Sequence, residues 1–357
     1  MEAEPPPLQT WLRIALDSPR AWGGPPATGS IRVEAADFQV EERLGFEPDG
    51  GEAHALVLVE KKDANTLFVA RELAARAARP VSQVGFAGLK DRRAIVRQWF
   101  SVPAAKAAAA FAGFTGEGFR VLAVHPHSRK LRRGALAGNR FCIRVRGLQG
   151  DAGALEARLA RIASSGAPNY FGSQRFGADG ANLAQVWRWL SLGRLPRGRE
   201  PRAFVLSAAR SLAFNAVLGA RVVAGTWNRI LPGEVVNLSG SQSVFAAESA
   251  DEALQRRCRE GDIAPTGPLC GADGVVPSGE AGRVEMAALG PVEPLPARLA
   301  ALGMRAARRA LVLRPRDFTH RSLADELELA FELPRGAFAT SVLRELLDVR
   351  VSEPDAD

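Results

Sequence analysis

Cysteine is scarce in this chain. Three residues, Cys142, Cys258 and Cys270, occur in 357. They are too few and too scattered for a disulfide framework or a paired-cysteine zinc site. Histidine is nearly as scarce, with His54, His125, His127 and His320. His125 and His127 stand two apart, with no nearby Cys, Asp or Glu to complete a shell of three or four ligands, so no metal is expected. Both read as members of a basic surface. The chain also lacks HExxH, the GxxxxGK[ST] phosphate loop and the GxSxG nucleophile elbow. No apolar run reaches about 18 residues, so no membrane span is expected. The longest helical candidate, 203–224, carries Arg210 and Arg221. At the N-terminus, Glu2, Glu4 and three prolines at 5–7 stand where a signal peptide would be basic and then apolar. A cytoplasmic enzyme or binding protein remains.

Acid is short as well. Lys plus Arg exceeds Asp plus Glu by 47 − 39, a net charge of +8. Between Glu117 and Asp151 stand eight cations and no acid: Arg120, Arg129, Lys130, Arg132, Arg133, Arg140, Arg144 and Arg146. Such an imbalance points to a polyphosphate partner, and nucleic acid is the expectation.

Residues 1–28, rich in Pro and Gly, read as a flexible arm. Strand-like segments follow at 31–34, 39–42 and 55–59. Asp63 or Asn65 can cap a helix carrying Val69, Leu73 and Ala77, which Pro80 stops. Strands are expected at 84–87, 95–102, 119–124 and 141–145, with helices at 104–111 and 152–164. From 168 to 311 the pattern is mostly helical, with a Gly/Pro/Ser-rich stretch at 261–282. Strand-like runs return at 311–314 and 326–332, and a helix over 337–349 closes the chain. Strands, a helical middle and strands again predict an α+β protein with one domain inserted into another.

Two segments can carry chemistry. Asp91 lies among Lys90, Arg92 and Arg93 in a turn between apolar runs. Cations favour its ionised form, which suits a nucleophile or base acting on a phosphate-bearing substrate. Residue type alone favours a solvated charged turn. In the second segment, strand alternation puts Asn139, Phe141, Ile143 and Val145 on one face and Arg140, Cys142, Arg144 and Arg146 on the other. An amide can read a nucleobase edge and a ring can stack on its face. A core phenylalanine beside a turn asparagine fits the same pattern.

Gly85-Phe-Ala-Gly-Leu-Lys-Asp91 with Gln98-Trp-Phe100 resembles the signature of the TruD family of tRNA pseudouridine synthases. Six further segments match in order. They are Asp37-Phe38 with Val40-Glu41, Gly45-Phe-Glu-Pro-Asp-Gly50, Asn65-Thr66, Lys130-Leu-Arg132 with Gly134–Asn139, Pro168–Gly177, and Leu206–Arg210 with Leu333–Glu345. The resemblance runs from about 29 to 349 and is weakest from 225 to 307. It implies a pseudouridine-synthase-type mixed β-sheet catalytic domain over 29–167 and 314–357, with a mostly helical TruD domain inserted over 168–313.

The resemblance also implies site residues. Asp91 matches the catalytic aspartate. Arg32 falls where the family has a lysine, which exchanges a point charge for a planar fork. Phe38, Asn139, Phe141 and Phe338 match positions lining a uridine pocket. Lys90, Arg92, Arg129, Lys130, Arg132 and Arg133 are expected to hold RNA. Tyr170, Phe171, Gln174 and Arg175 read as hinge residues or as RNA contacts. The implied activity is conversion of uridine 13 in the tRNA D arm to pseudouridine, by a monomer with tRNA as partner and no cofactor. A non-catalytic RNA-binding protein would carry the same cations without needing Asp91.

Overall fold

The computed structural model describes residues 8–103 and 108–351. The chain divides into a sheet unit (Pro26–Glu156, Pro315–Gly336 and residues 347–351) and a helical unit (residues 8–25, Ala157–Arg314 and Ala337–Leu346).

The sheet unit is built on eleven strands. They are β1 (Ala27–Ile31), β2 (Phe38–Leu44), β3 (His54–Lys62), β4 (Gly85–Phe86), β5 (Ile95–Val102), β6 (Thr115–Gly116), β7 (Phe119–His127), β8 (Leu136–Gly150), β9 (Arg316–Ser322), β10 (Glu326–Pro334) and β11 (Leu347–Val351). The main order is β9-β10-β8-β2-β5-β3-β7-β6, with β4 on β5 and β1 bridging β8 and β11. Pairing is antiparallel except between β2 and β5 and between β1 and β11.

Register decides which side chains share a face. Phe38 lies opposite Ile143, Val40 opposite Phe141 and Glu42 opposite Asn139. Phe141 in turn faces Phe331, and Val96 joins Val40 to Lys61. One face therefore presents a mainly apolar field into which Glu42, Lys61, Gln98 and Asn139 are set. The helix Thr66–Arg76 covers the part of this face made by Val57, Val59 and Phe100, using Val69, Leu73 and Ala74.

In the helical unit the helix Arg199–Val223 forms the axis of the core, with Leu212, Ala213, Phe214 and Leu218 buried. Its most apolar window has mean hydropathy 1.5, enough by length and composition to cross a bilayer, and 67% of that window is buried inside the protein. Arg221 on this helix pairs with Glu234 at 2.9 Å, both buried, so its charge is met inside the fold.

Several expectations need correction. Residues 8–16 of the expected arm form a helix whose Trp11 is fully buried and donates from Nε1 to the Pro291 carbonyl at 3.0 Å. Residues 1–7, like 104–107 of the expected helix at 104–111, lie outside the described residues. The expected helical middle also contains a four-stranded sheet, ordered Val244–Ala247, Glu234–Leu238, Ile263–Leu269, Ala307–Ala310. Its third strand lies within the Gly/Pro/Ser-rich stretch 261–282. The closing helix covers only Ala339–Leu346, and the next residues form β11. The first unit boundary falls after Glu156, inside the helix Ala152–Ser165, rather than at 167, and the segment 337–346 belongs to the helical unit.

Candidate active site

Asp91 sits in the turn between β4 and β5, its carboxylate 37% exposed and paired with the Arg32 guanidinium. Arg32 follows β1 with φ +59°, a left-handed conformation that is uncommon for a non-glycine residue and marks a site where local strain serves placement. The same guanidinium lies 4.2 Å above the Phe38 ring. Phe38 meets Phe141 edge to face at 6.2 Å, and Phe141 meets Phe331 at 5.6 Å. A chain of contacts thus runs from carboxylate to cation to the aromatic stripe. Arg32 Nε and Asn139 Oδ1 are both buried without a hydrogen-bond partner, leaving one unused donor and one unused acceptor.

Beneath the turn lies a polar network. Lys61, fully buried, donates from Nζ to the Asp91 carbonyl and to the Ala64 carbonyl, each at 2.8 Å. Burial pushes its ammonium down to about 8, against the pull of Asp91. Buried Glu42 accepts from Lys90 Nζ at 2.7 Å, the Trp99 amide at 2.8 Å and Gln98 Nε2 at 3.3 Å. Burial raises its carboxyl, and Lys90 opposes that rise. Gln98 Nε2 also donates to the Gly88 carbonyl at 2.8 Å, and Thr66 Oγ1 bonds both Gln98 Oε1 and the Lys90 amide. Four of these bonds tie the 88–91 turn to β2, β3, β5 and the helix Thr66–Arg76, and the others link those elements or the 64–65 segment to one another.

The expected residues therefore divide. Asp91, Arg32, Phe38 and Phe141 form one connected set, with Asn139 on the same sheet face. Phe338 belongs to the helical unit, where its ring meets Phe171 at 6.2 Å and lies under Arg175 at 5.9 Å. Tyr170 and Phe171 are buried in that unit's core. Lys90 is committed to Glu42, because a lysine beside a buried carboxylate has no reason to reach solvent. Arg92 Nε donates to the Asp63 carbonyl at 3.0 Å, Lys130 Nζ to the Ser82 carbonyl at 2.7 Å, and Arg133 lies 5.9 Å over Phe86. Arg129 and Arg132 are exposed, with no ion pair among the described residues.

The acid-free run is less basic in space than along the chain. Arg120 meets Glu60 at 2.6 Å, Arg144 meets Glu328 at 2.7 Å and Arg146 meets Asp37 at 2.8 Å, acids supplied by other parts of the unit. His127 is buried and so leaves the expected basic surface, whereas His125 is exposed and tilts against Trp99. Glu42 and Lys61 escaped the sequence reading. Their signal was a charged residue at an inward position of an alternating strand, as in Val57, Val59, Lys61.

Known proteins place this architecture. The family model described as tRNA pseudouridine synthase D (TruD) matches residues 19–193 and 191–346. A tRNA pseudouridine synthase D from Methylococcus capsulatus is 44% identical over 334 residues, covering 93% of this chain and 94% of that protein. One from Nitrosococcus oceani is 45% identical over 334 residues, covering 92% and 93%. In fold, a crystal structure of a putative tRNA pseudouridine synthase D from Methanosarcina mazei superposes with TM-score 0.70 at 22% identity, covering 96% of this chain and 98% of that one.

Proposed function

Since the chain belongs to the tRNA pseudouridine synthase D (TruD) family, we propose that it isomerises uridine 13 in the D arm of tRNA to pseudouridine, with Asp91 as the catalytic carboxylate. The observation that carries this reading is the Asp91 carboxylate held by Arg32, whose guanidinium in turn lies on Phe38 of the Phe38–Phe141 stripe.

In the reaction the C1′–N1 bond breaks, the uracil turns, and a C5–C1′ bond forms. C5 loses a proton and N1 ends protonated. No electrons are gained or lost and no water is consumed, so the chemistry requires no cofactor. A uridine stacked in folded tRNA must first be everted. The unused Asn139 Oδ1 is an acceptor suited to the uracil N3–H, and the Phe141 ring offers a stacking surface. Asp91, paired with Arg32, adds to C1′ or to C6, or removes a ribose proton to give a glycal. The spare Arg32 Nε–H is a donor for charge developing on the detached ring. Lys61, bonded to the Asp91 main chain, is a positioning residue. The protein works as a monomer in the cytoplasm, where its tRNA is found.

The test is tritium release from C5-labelled uridine in tRNA, with the modified position mapped. Wild type releases tritium and modifies position 13. Asp91→Asn keeps the shape of the side chain, binds tRNA and releases essentially none. Turnover by Asp91→Asn near the wild-type rate refutes the role of Asp91, and modification at another position refutes the site.

A further inference from the structure

A cavity of about 720 Å³ opens in the sheet unit, and none of Asp91, Arg32, Phe38, Asn139 or Phe141 lines it. One wall begins at Phe46 in the segment Gly45–Gly50, a motif that uridine chemistry leaves unused. The opposite wall is residues 127–132.

The walls are fastened together. Asp49 accepts from the Gly51 amide at 3.0 Å, from the Ser128 amide at 2.8 Å and from the Ser128 hydroxyl. A Cβ on Gly51 would lie 2.7 Å from the Ser128 Cβ, so only glycine permits this approach. Phe46 stacks on buried His127 at 5.1 Å with 17° between the rings, and with 36% of its surface exposed it keeps a free side. His54 also lines the cavity, and its Nδ1 is buried with no partner. Arg129 and Arg132 stand on the rim, and Glu47 is the uncommitted acid there. A flat ring and two uncommitted guanidiniums match two parts of a nucleotide, base face and phosphate. The volume lies within the range of small-ligand sites.

The cleft is coupled to the Asp91 turn. Lys130 bonds the Ser82 carbonyl, and the Gly134 amide donates to the Ala87 carbonyl at 2.8 Å, four residues before Asp91.

We propose that this cleft takes one unpaired nucleotide of the tRNA, other than the uridine that rearranges, with its base on Phe46 and its phosphate between Arg129 and Arg132. This rests on the reading of the chain as acting on tRNA, and the test separates the two. Binding of an unmodified tRNA transcript to the full chain is followed by fluorescence anisotropy, alongside steady-state turnover. Phe46→Ala weakens binding and raises KM about tenfold while kcat stays within twofold, and Phe46→Trp restores affinity. The double variant Arg129→Ala/Arg132→Ala lowers the slope of log affinity against log salt by about one, the one phosphate that the pair holds. A 2-aminopurine scan of the unpaired tRNA positions finds one whose fluorescence changes on binding wild type and not on binding Phe46→Ala. Folded Phe46→Ala and folded double variant that both bind tRNA within twofold of wild type overturn the cleft, whatever the turnover. Loss of turnover in wild type with the binding differences intact overturns the activity and leaves the cleft standing.

Discussion

Arg32 does two tasks with one side chain, pairing with Asp91 and covering the Phe38 ring. A lysine there keeps the charge but not the plane. Arg32→Ala is expected to lower kcat by about a hundredfold, the scale of losing one preorganised electrostatic partner, and Arg32→Lys to fall between, as measured by single-turnover tritium release. Lys61 has its own signature. Lys61→Met strips one buried and one part-buried carbonyl of their donor and should cost about 2–3 kcal/mol in urea unfolding. Its folded pKa of about 8 lies below the ordinary lysine value of 10.5, so between those values the unfolded chain binds the extra proton. Stability contributed at this position therefore rises with pH across that window. Wild type should gain on Lys61→Met from pH 8 to 10.5, read from paired denaturation curves; a flat difference would mean that the ammonium is not held in a desolvated place.

At the level of elements, the register of β8 against β10 carries Asn139 into position. A Cβ on Gly138 would lie 2.2 Å from the Leu333 carbonyl oxygen. Gly138→Ala is expected to cost about 1–3 kcal/mol and to reduce turnover along with stability, because relief requires the strands to part beside Asn139; calorimetry and the tritium assay on the same preparation check it. Much of the sheet was legible in the sequence. Alternation in 141–145 placed Phe141, Ile143 and Val145 inward, and the β5 boundaries match those expected. The failures share a cause. Residues 347–349 look helical because Val342, Leu346 and Val349 recur at helical spacing, while the strand they begin is dictated by a parallel partner remote in sequence. Ile263–Leu269 holds two prolines and a glycine, yet it pairs on both sides. The polar network under Asp91 was illegible for the same reason, since Glu42, Lys61 and Lys90 meet only once β2, β3 and the turn are assembled.

Over the whole molecule, the excess of eight positive charges favours a polyanionic partner. If about four phosphates are neutralised, tRNA affinity should drop about a hundredfold between 50 and 200 mM salt. A filter-binding series measures this, and a flat response would remove the electrostatic basis for RNA binding.

The parallel seam between β1 and β11 has a consequence for synthesis. Ala27 emerges from the ribosome about 320 residues before Leu347, its partner. At about 5–20 residues per second, β1 waits on the order of half a minute with one edge uncovered. A nascent chain arrested before residue 347 can bury its helical unit's core yet cannot finish the sheet.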